Sequence, residues 1–228
     1  MFDNNLSDVI EWDIRNWSVA LSYWEQNTAQ DLSTALALEI GSGHGGLSLW
    51  MALHGSRVIC SDVIAPSEEA IKKHARYYVS HLIEYESLDA LNIPYREEFD
   101  IVFFKSVLGA IGRNDNKANQ AKAISEIYLS LKQGGELFFA ENLVASPMHK
   151  FFRKRFIRWG KTWRYVSVEE MRDFLSIFSS MRYRTIGFLG AFGRNERQRG
   201  ILGAIDRAFL DSIVPKNWRY IVVGVARK

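Results

Sequence analysis

Short apolar runs bounded by glycine or acid alternate along the chain with longer stretches in which apolar residues recur every three or four positions. Leu36 to Ile40 is such a run, broken only by Glu39, and reads as a buried parallel strand. Leu47, Trp50, Met51 and Leu53 follow at helical spacing, and Gly55 sits where a helix C-cap is expected. Further runs predict strands at Arg57–Asp62, His81–Glu86, Phe99–Phe104, Glu136–Glu141, Arg182–Leu189 and Trp218–Ala226. Helices are predicted over 67–80, over 117–131 with a glycine stop at Gly134-Gly135, over 167–178 and near 197–212. Ser167 and Glu170 have the spacing of a capping box. Upstream, Val9, Trp12, Ile14, Trp17, Leu21 and Trp24 mostly share one helical face, which predicts a single amphipathic helix over 7–28 with Ser7 as N-cap. The alternation of strand and helix marks an α/β domain with a mostly parallel sheet.

The turn after the first strand carries the chemistry. Gly41, Gly43 and Gly45 allow sharp turns and close approach of the backbone to a ligand. Gly41, Gly43 and Gly46 also satisfy the G-x-G-x-x-G spacing of dinucleotide sites. Glu39 separates the two readings. A pyrophosphate beside it would meet a like charge, and at about 4 Å two such charges repel by roughly 4 kcal/mol at an effective dielectric near 20. A ligand with an ammonium and a sulfonium would instead be attracted.

Glu39-Ile40-Gly41-Ser42-Gly43-His44-Gly45 resembles motif I of the class I S-adenosylmethionine (SAM) methyltransferases. The F-D-x-V run at Phe99 and the L-K-x-G-G run at Leu131 also resemble that family. The resemblance implies a Rossmann-like, seven-stranded, mostly parallel sheet with helices on both faces. It further implies a methyltransferase domain over residues 35–228, an N-terminal helical lid or extension over 1–34, and a substrate-side insertion at about 142–166. The cofactor would be S-adenosyl-L-methionine, with S-adenosyl-L-homocysteine as product, held by Glu39, Gly41, Ser42, Gly43 and Gly45. Asp62, with Val63 beside it, lies about 20 residues beyond the glycines, where a carboxylate accepts both ribose hydroxyls; it also reads as a cap for the next helix. Asp89 and Ala90 match the family's adenine-reading slot, and a plain loop acid is the alternative. Lys105 and Ser106, at the carboxyl end of the fourth strand, fall beside cofactor and substrate.

Composition narrows the setting. The chain has 228 residues, a net charge of +3 and one cysteine, Cys60, so a cysteine-based zinc site and a disulfide framework are excluded. The polar, acidic start and the lack of any run near the ~18 apolar residues of a membrane span lead us to expect a cytoplasmic protein. Charge distribution says more than its sum. From Asn142 to Val168 there is no acid, while Lys150, Arg153, Lys154, Arg155, Arg158, Lys161 and Arg164 interleave with aromatics. This pattern suits an anionic small-molecule, sugar or lipid-linked acceptor, an RNA, or a solvated face.

We expect Arg153, Arg155 and Arg158 to bind substrate, and Trp17 to join them if the leading helix closes over the site. A hydroxyl acceptor needs a base; His149 is the one histidine on a predicted substrate-side segment, and Lys105 is a second catalytic candidate. His44 lies in the glycine loop, whereas His54, His74 and His81 read as lying away from it. Lys105-Ser106-Val107-Leu108 does not resemble the Asn/Asp-Pro-Pro-Tyr motif of amino-methylating DNA enzymes. Cys60 is misplaced for a cytosine-C5 enzyme, and residues 105–114 lack the paired glutamates of arginine enzymes. The expected activity is methyl transfer, at oxygen, to a small, sugar or lipid-linked acceptor. A non-catalytic SAM-binding module and an RNA methyltransferase are the rivals.

Overall fold

The apolar runs become seven strands of one sheet in a computed structural model that describes residues 6–156 and 162–228. At its centre β1 (Leu36–Ile40) pairs in parallel with β2 (Arg57–Asp62) on one side and β4 (Phe99–Lys105) on the other. Outside β2 lies β3 (Ile83–Ser87), and beside β4 lies β5 (Leu131–Asn142). The order is completed by β7 (Ile221–Arg227), antiparallel to both β5 and β6 (Ser180–Ile186). Because the chain builds outward from β1 to β3 and then restarts at β4, its topological switch lies between β1 and β4. Open α/β sheets bind ligands at the carboxyl ends flanking such a switch.

Side chains alternate across the pleat and so supply two cores. Phe103 and Phe138 point into the one covered by α3 (Val19–Asn27) and α4 (Gly46–Leu53). Phe104 and Phe139 point into the other, under α7 (Lys117–Ser130) and α9 (Val168–Phe174). Trp24 of α3 stacks on Phe138 at 5.7 Å and donates its indole N–H to the Gly224 carbonyl at 3.1 Å. One buried side chain thus joins the N-terminal segment to two strands.

The single leading helix expected over 7–28 is instead three: α1 (Leu6–Ile10), α2 (Ile14–Trp17) and α3. Glu11 and Asp13 break it, with φ of 71° and 45°. Tertiary bonds explain the break. Glu196 accepts the Asp13 and Ile14 N–H groups at 2.8 and 3.1 Å, and the buried Asp13 carboxylate accepts from the Tyr220 hydroxyl and from Asn16. Ser7 lies inside α1 and caps nothing expected of it. At the other end, β6 and β7 begin and end within three residues of expectation, and the helix near 197–212 contains a π turn at Asp206–Leu210. No helix among the described residues is long and apolar enough to cross a membrane.

Trp24→Ala should destabilise the protein by about 3–5 kcal/mol, because it leaves a cavity and removes the indole hydrogen bond to Gly224. Urea unfolding measures this; a loss below about 1 kcal/mol would show that α3 contributes little to the sheet.

Candidate functional site

The crevice starts at the β1–α4 turn. Gly41, Gly43 and Gly45 have φ of 68°, 54° and 72°, the left-handed region that glycine tolerates. A Cβ on Gly43 would meet nothing within 4 Å, so this side of the loop faces open space. The Ser42 N–H donates to Ser61 at 2.8 Å, and the Ser42 hydroxyl is buried without a hydrogen-bond partner among the described residues.

Asp62 is drawn directly onto this loop. One carboxylate oxygen accepts the Gly43 N–H at 3.0 Å and the other the Val63 N–H at 2.7 Å. It does not cap the next helix, α5 (Glu68–Arg76), because Ser67 fills that position. Val63 and Ile64 stand exposed beside it. Leu88 donates its N–H to the Asp62 carbonyl at 2.8 Å, which brings the loop after β3 alongside. There Asp89 is exposed and accepts the Leu91 N–H at 2.9 Å in its own turn, while Ala90 is buried.

Glu39 is turned inward, away from the open side. Its carboxylate accepts the Ser48 N–H at 2.9 Å and the Ser48 hydroxyl. Ser48 is in the first turn of α4, whose N-cap, Gly45, has no side chain to satisfy it. Glu39 is therefore a cap delivered from the neighbouring strand. Burial pushes its pKa up to about 8; the Ser48 hydrogen bonds and Lys105 oppose the shift, and Glu11 adds to it.

A second carboxylate, unforeseen from sequence, does the same work at β5. Buried Glu141 accepts the Val107 and Leu108 N–H groups at 2.9 and 2.7 Å, and that of Asn142 at 2.8 Å. Burial raises its pKa to about 7 against these N–H donors. Ser106, at φ 59°, donates its N–H to Ala140 at 2.8 Å and accepts from the Asn142 amide at 2.5 Å. The only sequence signal for Glu141 is an acid ending an apolar strand, as at β1 and β2.

The N-terminal segment sits on the loop. A Cβ on Gly46 would run into the Val9 carbonyl, so α1 rests on the start of α4. Two lysines hold its end, where helix carbonyls favour cations. Lys105 donates to the Ile10 carbonyl at 2.8 Å, and Lys73 donates to the Asp8 carbonyl and to Glu11, each at 2.9 Å. His44 lies 3.6 Å from Glu11. Burial pulls the Lys105 pKa down, with Glu11 and Glu39 opposing, and the amine lies 5.7 Å from the Trp12 and Trp17 rings. It therefore fastens the cap and does not face an acceptor. Trp17 is wholly buried, 5.3 Å from the Trp12 ring, so the substrate contact expected of it does not fit.

His74 was expected away from the loop, yet it lies under it. Its Nε2 donates to the Gly45 carbonyl at 2.8 Å, and its Nδ1 accepts from the Tyr85 hydroxyl at 2.8 Å. Burial lowers its pKa, which favours this neutral tautomer. The available signal was its place four residues after Ala70, on the buried face of α5.

The segment expected on the substrate side comprises α8 (Pro147–Phe156) and the chain from 162 to 166. They border a cleft of about 890 Å³ lined by Asn114, Lys150, Arg153, Lys154, Trp163 and Tyr165, among others. Arg153 is partly committed to structure: it donates to the Leu143 and Val144 carbonyls at 2.7 and 3.2 Å and lies 3.9 Å over the Tyr165 ring. Arg155 is exposed and is not part of the lining, and Arg158 falls outside the described residues. Arg164 bonds Asp115 at 2.9 Å and Glu170 at 2.5 Å, so one acid distant in sequence and one just beyond the acid-free run neutralise its end.

His149 cannot serve as the expected base. It is buried, its Nδ1 pairs with the Ser146 hydroxyl at 2.7 Å, and its Nε2 donates to the Phe188 carbonyl at 2.8 Å. Burial pulls its pKa down to about 4. Both nitrogens are occupied in holding α8 to the chain after β6.

Glu39 carries a pH signature. Its pKa is raised from 4.5 to about 8 on folding, so between those values the native state holds a proton the unfolded chain has shed. Its contribution is complete below about pH 4.5 and is lost as pH rises through 8. Glu39→Gln keeps an acceptor for Ser48 without titrating. Denaturant titrations should show the wild type losing stability relative to this variant, by a few kcal/mol, as pH rises across that window. Parallel pH profiles would contradict the assignment.

Residues 38–139 match a family described as a methyltransferase domain. No curated protein matches the sequence. Among solved structures, the [4+2]-cyclase SpnF is 20% identical, with 92% of this chain and 80% of that one covered and a TM-score of 0.62. The 1,6-didemethyltoxoflavin-N1-methyltransferase of Burkholderia thailandensis, with bound 1,6-didemethyltoxoflavin and S-adenosylhomocysteine, is 13% identical, with 100% and 85% covered and a TM-score of 0.63. Phosphoethanolamine N-methyltransferase 2 of Haemonchus contortus, in complex with phosphomonomethylethanolamine and S-adenosylhomocysteine, is 17% identical, with 100% of this chain and 59% of that one covered and a TM-score of 0.63. At these identities the likeness shows the fold, and the cyclase shows that fold carrying a different reaction. Residues 38–139 thus carry the likeness to the methyltransferase-domain family, and the sheet around them has a seven-stranded, Rossmann-like architecture.

Proposed function

We propose that the chain binds SAM across the carboxyl ends of β1, β2 and β4 and transfers its methyl group to a small acceptor bearing an anionic group. The observation that carries this reading is the junction of Gly43 and Asp62. Gly43 presents an open, side-chain-free edge, and the carboxylate next to it uses one lone pair on each oxygen for a backbone N–H. Each oxygen keeps a lone pair, which suits the two hydroxyls of a ribose. Dinucleotide folds place a ribose-binding acid at the same distance from their glycines, and the methyltransferase-domain match over residues 38–139 favours SAM between the two.

When bound, SAM supplies an activated methyl on a sulfonium, which an acceptor lone pair takes by in-line displacement. The chain's own task is placement. Gly41, Ser42, Gly43 and Gly45 give backbone access, Asp62 orients the ribose, and Val63 offers an apolar face. Asp89 and Ala90 flank the adenine, Glu39 and Glu141 keep the loops in position, and Ser106 borders the reacting end. Over them α1 keeps water from one side.

Lys150, Lys154 and the exposed part of Arg153 suit an anionic group on the acceptor. The phosphate in the Haemonchus contortus complex is consistent with such a site. With His149 engaged at both nitrogens, an acceptor whose lone pair is already free at neutral pH fits better than an unactivated alcohol. An amine or an ionised oxygen meets that requirement. Binding of SAM without transfer is the second reading, favoured by the commitment of both His149 and Lys105 to structure.

Calorimetric titration with S-adenosylhomocysteine should give micromolar binding that weakens about 10- to 100-fold in Asp62→Ala. Labelled methyl transfer into acidic small molecules of a cell extract separates catalysis from binding alone. No binding, or binding indifferent to Asp62, would overturn the proposal. A steep fall of RNA affinity with salt would point to an RNA acceptor instead.

A further inference from the structure

The helical segment after β6 carries an apolar line that nothing among the described residues covers. It consists of α10 (Glu196–Ile205), the π turn Asp206–Leu210 and α11 (Asp211–Ile213). Ile201, Ile205, Phe209 and Ile213 are exposed by 57, 38, 67 and 73%. They recur every fourth residue, while Gly203 and Asp206 form the buried side. In a continuous α-helix residues four apart advance by about 40°, so this line would wrap by about 120° over its length. The wider π turn takes back part of that rotation and keeps the four side chains aligned. Its first residue, Asp206, is anchored by accepting the N–H groups of Phe188, Leu189 and Gly190 at 2.8–3.0 Å.

Such a stripe on a helix needs a partner, and the charge around it selects one. The acids of the segment are already engaged. Glu196 holds the start of α2 and pairs with Arg199, Asp206 is buried, and Asp211 is 12% exposed beside Arg184. Arg194, Arg197 and Lys216 are exposed in and around this segment, whereas Arg207 is turned to the Arg15 carbonyl. A two-fold pairing of copies through it would bring these cations together, because the same patch faces itself in an isologous contact. An anionic lipid surface instead meets apolar side chains flanked by lysine and arginine.

Neighbouring α8 repeats the chemistry. Met148, Phe151 and Phe152 are exposed on it, with Lys150 and Lys154 beside them. Phe152 meets Phe192, in the turn just before α10, at 5.2 Å. We infer that the outer face of residues 196–213, with the exposed face of α8 as a second contact, docks onto an anionic membrane surface. Lys150 and Lys154 also border the cleft of the proposed acceptor, so the docking is tested at residues 196–216, which the proposed methyl transfer does not use.

Co-sedimentation of the full chain with phosphatidylcholine vesicles, with and without phosphatidylglycerol, tests the inference. Binding should require the anionic lipid and weaken with salt. It should fall about tenfold or more in Ile205→Ser/Phe209→Ser/Ile213→Ser, and similarly in Arg197→Glu/Lys216→Glu, which leaves the apolar line intact. Far-ultraviolet circular dichroism and thermal melting of each variant verify that it is folded. Absence of binding to anionic vesicles, or binding as tight as wild type by either folded variant, would overturn the inference. So would a concentration-dependent dimer in sedimentation velocity that Phe209→Ser abolishes, since a second copy would then be the occupant.

Discussion

Buried carboxylates that accept main-chain N–H groups are the constraint on which the site depends. At the carboxyl end of the sheet, an acid from an adjoining element holds α4 (Glu39), the chain after β4 (Glu141) and the turn after β6 (Asp206). Asp62 holds the glycine turn in the same way, but at the surface. Leaving such N–H groups unpaired in the interior would cost about 1–3 kcal/mol each. The acids therefore set where the loops go, and irregular backbone is kept in one arrangement around an open crevice.

From that constraint the division of labour follows. Carboxylates that are wholly buried are structural; the one at the edge of the crevice retains lone pairs for a ligand. The same sorting applies to bases. Lys73 and Lys105 close the N-terminal cap through the last carbonyls of α1, while Lys150 and Lys154 stay at the surface of the cleft. Position relative to solvent, and not residue type, separates the two groups.

The central strands were legible because buried parallel strands leave unbroken apolar runs, and the glycine turn was legible because its spacing is chemical. The place of Asp62 against the glycine turn was legible from its distance from those glycines. What sequence concealed was tertiary hydrogen bonding. The N-terminal tryptophans keep helical spacing through 7–28, yet Glu196 and Tyr220, nearly two hundred residues away, break the helix at Asp13. His149 looked available because the partner of its Nε2, the Phe188 carbonyl, lies 39 residues away; only the Ser146 hydroxyl on Nδ1 is close in sequence. Arg164 looked unpaired for the same reason, and Asp115 and Glu170 neutralise it. In each case a polar side chain that periodicity treats as free is fixed by a distant partner.

The most direct test of this account is a crystal structure with S-adenosylhomocysteine. It should place the ribose hydroxyls within about 2.6–3.2 Å of the Asp62 carboxylate, with the chain of the ligand passing the open edge of Gly43 and α1 still in place. A ligand lodged instead between Lys150, Arg153 and Trp163, with Asp62 out of reach, would contradict it.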